Sequence, residues 1–178
     1  WLGKKVFITG HTGFKGTWLC IMLEELGAVV TGFSLPLTNK NILFKKTNII
    51  DKIKKSYFGD IRNYKFLKRC ILLSNPQIII HMAAQAFVGE SYLNPKYTYE
   101  VNTLGTVNVL NIVKELNSIK ITLIITSDKV YKNTETKKSY DENDELGGFD
   151  PYSNSKACAE IIINSYIKSF FRNKKNIV

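Results

Sequence analysis

The chain has 178 residues and a formal net charge of +10. That length suffices for one domain with a real core, and no apolar stretch approaches the ~20 residues needed to cross a bilayer. The excess charge is lysine scattered through an Asn- and Ile-rich sequence, with Arg62, Arg69 and Arg172 the only arginines, so the clustered Arg patch of a nucleic-acid binder is absent.

The first element is a strand at Lys5–Thr9, where Val6, Phe7 and Ile8 run apolar without a break. Behind it stands Gly10-His11-Thr12-Gly13-Phe14-Lys15-Gly16, followed by a helical run over 14–26 with Leu19, Met22, Leu23 and Leu26 on one face. A strand that ends in closely spaced glycines and opens a helix is the arrangement that holds a pyrophosphate. The glycines let the backbone approach the ligand with no Cβ in the way, and the helix aims unpaired N–H groups at it. A second strand follows at 28–34, a loop at 36–41 and a short third strand at 57–60, and Asn63 is placed to cap a helix over 63–73. The β-branched run Ile78-Ile79-Ile80 makes 77–82 a buried strand, and His81 at its end reads as a structural histidine. A long helix over 95–116 is expected to bury Val101, Leu104, Val107 and Leu110, and strand 121–127 ends in Thr126-Ser127-Asp128-Lys129. Residues 132–150 are polar and contain glycine, which suits a loop over a cleft, and Pro151 opens a last helix reaching 171. Asn176-Ile177-Val178 reads as the start of a further strand, so a truncated chain is expected.

Strands that are apolar on both faces and alternate with helices define an α/β fold, a Rossmann-like doubly wound parallel sheet with ligands at the carboxyl ends of its strands. Cys20, Cys70 and Cys158 fit neither a disulfide framework nor a zinc site, and no metal is expected. The N-terminus does not read as a signal peptide, and a reducing cytoplasm is the expected setting.

Tyr152-Ser153-Asn154-Ser155-Lys156 is the second constellation with chemistry in it. Tyr152 and Lys156 share a helix face, and an ammonium beside a phenol favours the phenolate. A phenolate there takes the proton of a sugar hydroxyl while the carbon gives its hydride to a nicotinamide; the plainer alternative is a packed Tyr and a solvated Lys. Ser127, Asp128 and Lys129 lie at a strand's carboxyl end, where a hydroxyl, an acid and a base would face a substrate. Their plainer alternative is a turn that merely ends the strand.

These stretches, together with His81-Met82-Ala83-Ala84-Gln85 and Leu146-Gly147-Gly148-Phe149-Asp150-Pro151, resemble the nucleotide-sugar dehydratases and epimerases among the extended short-chain dehydrogenase/reductases. Within that group they resemble the dehydratases acting on CDP-glucose, because Asp128-Lys129 stands where the dTDP-glucose dehydratases carry Asp-Glu. The resemblance implies NAD as cofactor and CDP-glucose as substrate. Tyr152, assisted by Lys156, takes the C4 hydroxyl proton, and Ser127 hydrogen-bonds a substrate hydroxyl. Lys129 takes the C5 proton while Asp128 protonates the departing C6 hydroxyl. Around the cofactor it implies Gly10, His11, Thr12, Gly13, Phe14, Lys15 and Gly16 at the pyrophosphate, and Asp60 and Ile61 at the adenine edge. Ala83, Ala84 and Gln85 lie beside the cofactor, and Asn102 steadies the ends of the fourth and fifth strands. Residues 1–178 would form the NAD-binding Rossmann domain, truncated before a C-terminal substrate domain and inactive alone, from a full-length homo-oligomer with no nucleic-acid or membrane partner. Two features depart from the pattern: Gly32-Phe33-Ser34-Leu35 has no acid for the ribose, and Gly89 stands where the family tends to place an arginine. Another nucleotide-sugar enzyme of the same fold, or a non-catalytic NAD-binding protein, would share the glycines.

Overall fold

Along β1 (Lys5–Thr9) side chains alternate between two faces, and both faces are apolar. Phe7 joins Phe33 and Ile79 in one core, while Val6 and Ile8 join Val30, Ile78 and Ile80 in the other. A strand buried on both sides needs helices on both sides, and that requirement builds the fold. The computed structural model describes residues 1–135 and 139–172; the strand expected from residue 176 onward lies outside them. Five strands, β1, β2 (Val29–Ser34), β3 (Lys55–Phe58), β4 (Ile78–His81) and β5 (Ile121–Ile124), pair in parallel in the order β3-β2-β1-β4-β5. The order reverses between β1 and β4, so their carboxyl ends flank the crevice in which this topology places ligands.

One face is covered by α1 (Phe14–Glu25), α2 (Ile42–Lys46) and the 3₁₀ turn Ile49–Asp51, which contribute Cys20, Leu23, Phe44 and Ile49. The other is covered by α3 (Tyr64–Ser74) and α6 (Gly105–Glu115), which contribute Leu67, Ile71, Val109 and Ile112. Asn63 caps α3 as expected, its side chain accepting from the Phe66 N–H at 3.1 Å.

Several details differ from the sequence expectation. In α1 the buried residues are Gly16, Thr17, Cys20 and Leu23, whereas Met22 is 58% and Leu26 51% exposed. The contact of Gly16 with the Gly10 carbonyl fixes the rotation of the helix, and an apolar stripe alone does not reveal that. The expected long helix is α5 (Pro95–Tyr99), a π-helical turn at Glu100–Leu104 and α6 in succession. The wider turn shifts the buried stripe, so Leu104 is 55% exposed and Asn102 and Thr106 are buried instead. A separate short helix, α4 (Val88–Leu93), precedes them, and α2 occupies a stretch with no clear helical pattern. β3 lies two residues earlier than expected, and β5 ends at Ile124. Among the described residues no helix is long and apolar enough to cross a membrane.

Two buried histidines tie the sheet together. His81 is 3% exposed and lies between Thr9 Oγ1 at 2.6 Å and Thr106 Oγ1 at 3.3 Å. Thr9 Oγ1 already accepts from the N–H groups of Met82 and Ala83, so its own hydrogen goes to His81 Nδ1 and the imidazole is the neutral Nε2–H form. His11 lies between Ser34 Oγ at 2.9 Å and Ser56 Oγ at 3.0 Å. Burial pushes His11 down to about 4, and burial with the nearby Lys156 charge pushes His81 down to about 3. Their unfolded counterparts protonate near pH 6.5. The neutral-histidine contribution is therefore complete above pH 6.5 and lost as the pH falls toward 4. Urea unfolding between pH 7 and 4.5 should show stability dropping by about 1.4 kcal/mol per pH unit for each histidine, and a flat profile would contradict the burial of both.

Candidate active site

The glycine loop is shaped by contacts that exclude side chains. Gly10 has φ +78°, and a Cβ there would lie 2.8 Å from the Ala83 nitrogen and the Met82 carbonyl carbon. A Cβ on Gly16 would lie 2.2 Å from the Gly10 carbonyl oxygen. Gly13 precedes α1 with no side-chain cap on the first-turn N–H groups and no acid in that turn, while Lys15 is exposed there. Free N–H donors, a positive helix end and a cation fit a pyrophosphate. These residues therefore suit a dinucleotide cofactor.

At the far side of the crevice, Pro151 and Asp150 start α7 (Pro151–Tyr166). Asp150 accepts from the Ser153 N–H at 3.0 Å and from its hydroxyl at 2.6 Å. This places Tyr152 in the first turn of the helix and Lys156 one turn deeper. Lys156 is 6% exposed and its Nζ donates to the Ile125 carbonyl at 3.0 Å; burial pushes it down to about 8, partly opposed by the Glu160 carboxylate. Ser127 caps the short turn Asp128–Val130, accepting from the Lys129 N–H at 3.2 Å and donating to Asp128 Oδ1 at 3.1 Å. Asp128 and Lys129 are exposed, and Ser127 and Tyr152 are half-buried.

A cleft of about 620 Å³ gathers Lys15 from the glycine loop, Ala86 and Val88 from the stretch after β4, Ser127, Asp128 and Lys129 after β5, and Tyr152. Five residues singled out from the sequence thus share one wall-to-wall opening, and Lys156 backs it. Phe14 is 72% exposed beside the loop, and Ala83 and Ala84 are half-buried after β4.

Others lie apart from the cleft. The His11 ring is fully buried beneath the loop, leaving only its backbone for a ligand, and the Thr12 N–H and carbonyl bond Ser34 Oγ and Asn41 Nδ2. Ile61 is core, packed under Gly105. Asp60 is gripped by Arg62, whose guanidinium also bonds Glu100 at 2.7 Å; that clamp holds its carboxyl below the usual range and has no sequence signal beyond the Asp-x-Arg spacing. Asn102, 1% exposed in the π turn, bonds the Gln85 N–H at 2.8 Å and carbonyl at 3.0 Å and Ser155 Oγ at 2.9 Å. It therefore ties the stretch after β4 to α7, not to β5. At Gly89 a Cβ would meet nothing within 4 Å, so no steric demand explains that glycine.

Residues 7–173 match the family model described as GDP-mannose 4,6 dehydratase, and the chain belongs to that family, within the extended short-chain dehydrogenase/reductases. It is 47% identical over 171 residues to the CDP-glucose 4,6-dehydratase of Salmonella typhimurium, an alignment covering 96% of this chain and 47% of that protein. The dTDP-glucose 4,6-dehydratase of Bacillus anthracis, solved in complex with NAD, superposes with a TM-score of 0.80 at 25% identity, covering 98% of this chain and 53% of that one. The UDP-Glc/GlcNAc 4-epimerase of Campylobacter jejuni reaches 0.84 at 20% identity, over 98% and 52% of the two chains, and shares the fold. The chain spans about half the length of the relatives it matches.

Proposed function

We propose that this chain is the cofactor-binding half of an NAD-dependent 4,6-dehydratase acting on CDP-glucose. The observation that carries the reading is the cleft shared by Lys15, Ser127, Asp128, Lys129 and Tyr152 beside the open N-terminus of α1. The likeness to the Salmonella enzyme supports the choice of sugar nucleotide. NAD is the cofactor that the glycine loop accommodates; when bound, it supplies a hydride acceptor for the sugar C4 and a hydride donor for C6.

The chain's own residues then divide the proton work. Ser127 holds the C4 hydroxyl and Tyr152 takes its proton, with the Lys156 ammonium favouring the phenolate. The C4 ketone so formed makes the C5 hydrogen acidic. Lys129 removes that proton, and Asp128 protonates the C6 hydroxyl as it leaves as water, so an acid and a base are needed across one C–C bond. Hydride delivered to C6 and the proton returned to C5 by Lys129 would then give CDP-4-keto-6-deoxyglucose. In relatives about twice as long, the remaining half is where the reading places the grip on the nucleotide, so residues 1–178 alone are not expected to turn over.

In the complete enzyme, Lys129→Ala should cut product formation at least ~100-fold while the near-UV absorbance of reduced nicotinamide still rises on adding CDP-glucose. Unchanged product formation would remove Lys129 from the elimination, whereas a complete enzyme that forms no dehydrated product from CDP-glucose would favour the rival reading, an epimerase or other sugar-nucleotide enzyme of this fold that has no use for the Asp128–Lys129 pair.

A further inference from the structure

Two residues that this chemistry leaves unused, Thr126, which lines the cleft, and Glu160 of α7, are bonded to each other. Thr126 directly precedes Ser127, and its hydroxyl donates to Glu160 Oε1 at 2.5 Å. Glu160 stands one helical turn beyond Lys156, as Lys156 stands one turn beyond Tyr152, so the three recur along one strip of α7. The Lys156 ammonium is buried against a backbone carbonyl, which carries no formal charge, and a buried cation without a nearby anion is costly.

The ionisable groups around Lys156 narrow the choice of anion. His81, from β4, is neutral. Asp128 and Lys129 open onto the cleft, where a substrate would engage them. On the helices packed against α7, Glu90 is bonded to Asn94, Glu100 to Arg62 and Tyr99 to Asn154. Glu160 is the carboxylate that stands one helical turn from Lys156 on the same strip of α7 and is fixed by a hydrogen bond of its own.

We propose that Glu160 is a positioning residue: pinned by Thr126, its carboxylate holds Lys156 as an ammonium one turn from Tyr152 and ties α7 to the strand end that carries Ser127, Asp128 and Lys129. The proposal rests on reading Tyr152 and Lys156 as the redox pair. It adds that the pair works only with a third member on the same strip and an anchor just past the end of β5.

Its test follows the Lys156 Cε resonance by NMR in the chain labelled with ¹³C-lysine, assigned through Lys156→Arg. Glu160→Gln keeps an oxygen for the Thr126 hydroxyl and removes the charge. The Lys156 midpoint should fall by about one pH unit, a tenfold loss of proton affinity. Thr126→Val keeps the charge and frees the carboxylate, and should lower the midpoint by a smaller amount. A midpoint in Glu160→Gln equal to that of the unsubstituted chain overturns the proposal; should that variant not fold, an unmoved midpoint in Thr126→Val does the same. In the complete enzyme the alkaline limb of kcat should move down with the midpoint, which a merely structural role would not produce. Failure of the dehydratase reading would leave the NMR result standing, so the two are separable.

Discussion

Replacing Tyr152 by Phe in the complete enzyme should lower kcat for CDP-glucose about 10³-fold and leave NAD affinity within a few-fold of the original. The substitution removes one oxygen and keeps the ring, so the first turn of α7 and its cap at Asp150 persist. A loss of that size is what a general base at the reacting hydroxyl contributes, and no residue in the cleft duplicates it: Asp128 and Lys129 are assigned to the C5–C6 side, and Lys156 is bonded to the Ile125 carbonyl. Because the first oxidation fails, the reduced-nicotinamide signal should vanish with the product. Lys129→Ala should keep that signal, and the contrast between the two variants orders the steps. Steady-state turnover within tenfold of the unsubstituted enzyme would remove Tyr152 from the chemistry.

The second large effect is structural. Gly10→Ala should destabilise the chain by about 3 kcal/mol and abolish measurable NAD binding. Two costs coincide at this position, a positive φ that disfavours any Cβ and an overlap with the backbone of Met82 and Ala83. Backbone cannot swing aside as a side-chain tip can, so β1 and β4 must part at the crevice where the cofactor would lie. Gly89→Ala is the control, an exposed glycine in α4 with open space around it, and should change stability by less than ~0.5 kcal/mol or raise it slightly. Urea midpoints and calorimetric NAD titrations of both variants decide the matter. Equal stability in the two would show that the loop geometry is not what Gly10 secures.

Much of this arrangement could be read from the residues because local rules and tertiary demands agree there. An apolar strand, spaced glycines and a helix start need no distant partner to be recognised, and Pro151 after Asp150 announces α7 and with it the place of Tyr152 and Lys156. The hidden parts depend on contacts far apart in sequence. Whether Met22 or Cys20 faces the core is decided by the contact of Gly16 with Gly10, and the π turn at Glu100–Leu104 coincides with Asn102 reaching Gln85 and Ser155. His11 lies in the cofactor loop by sequence, yet its ring packs beneath the loop, where Gly32 leaves it room and Ser34 and Ser56 bond it. The same Ser34 ends the second strand where an acid was expected, so that strand end serves the loop from below. Glu160 stands one helical turn from Lys156; the missing signal is its partner Thr126, just past the end of β5.

Under the proposed function, one cleft oxidises C4, eliminates water across C5–C6 and restores hydrogen at C6. This sequence of steps is tested most directly by giving the complete enzyme CDP-glucose deuterated at C4, with NAD, and locating the label in the product. The expected product is a 4-keto-6-deoxy sugar nucleotide with deuterium at C6. A product that keeps deuterium at C4, or an unchanged substrate, would contradict it.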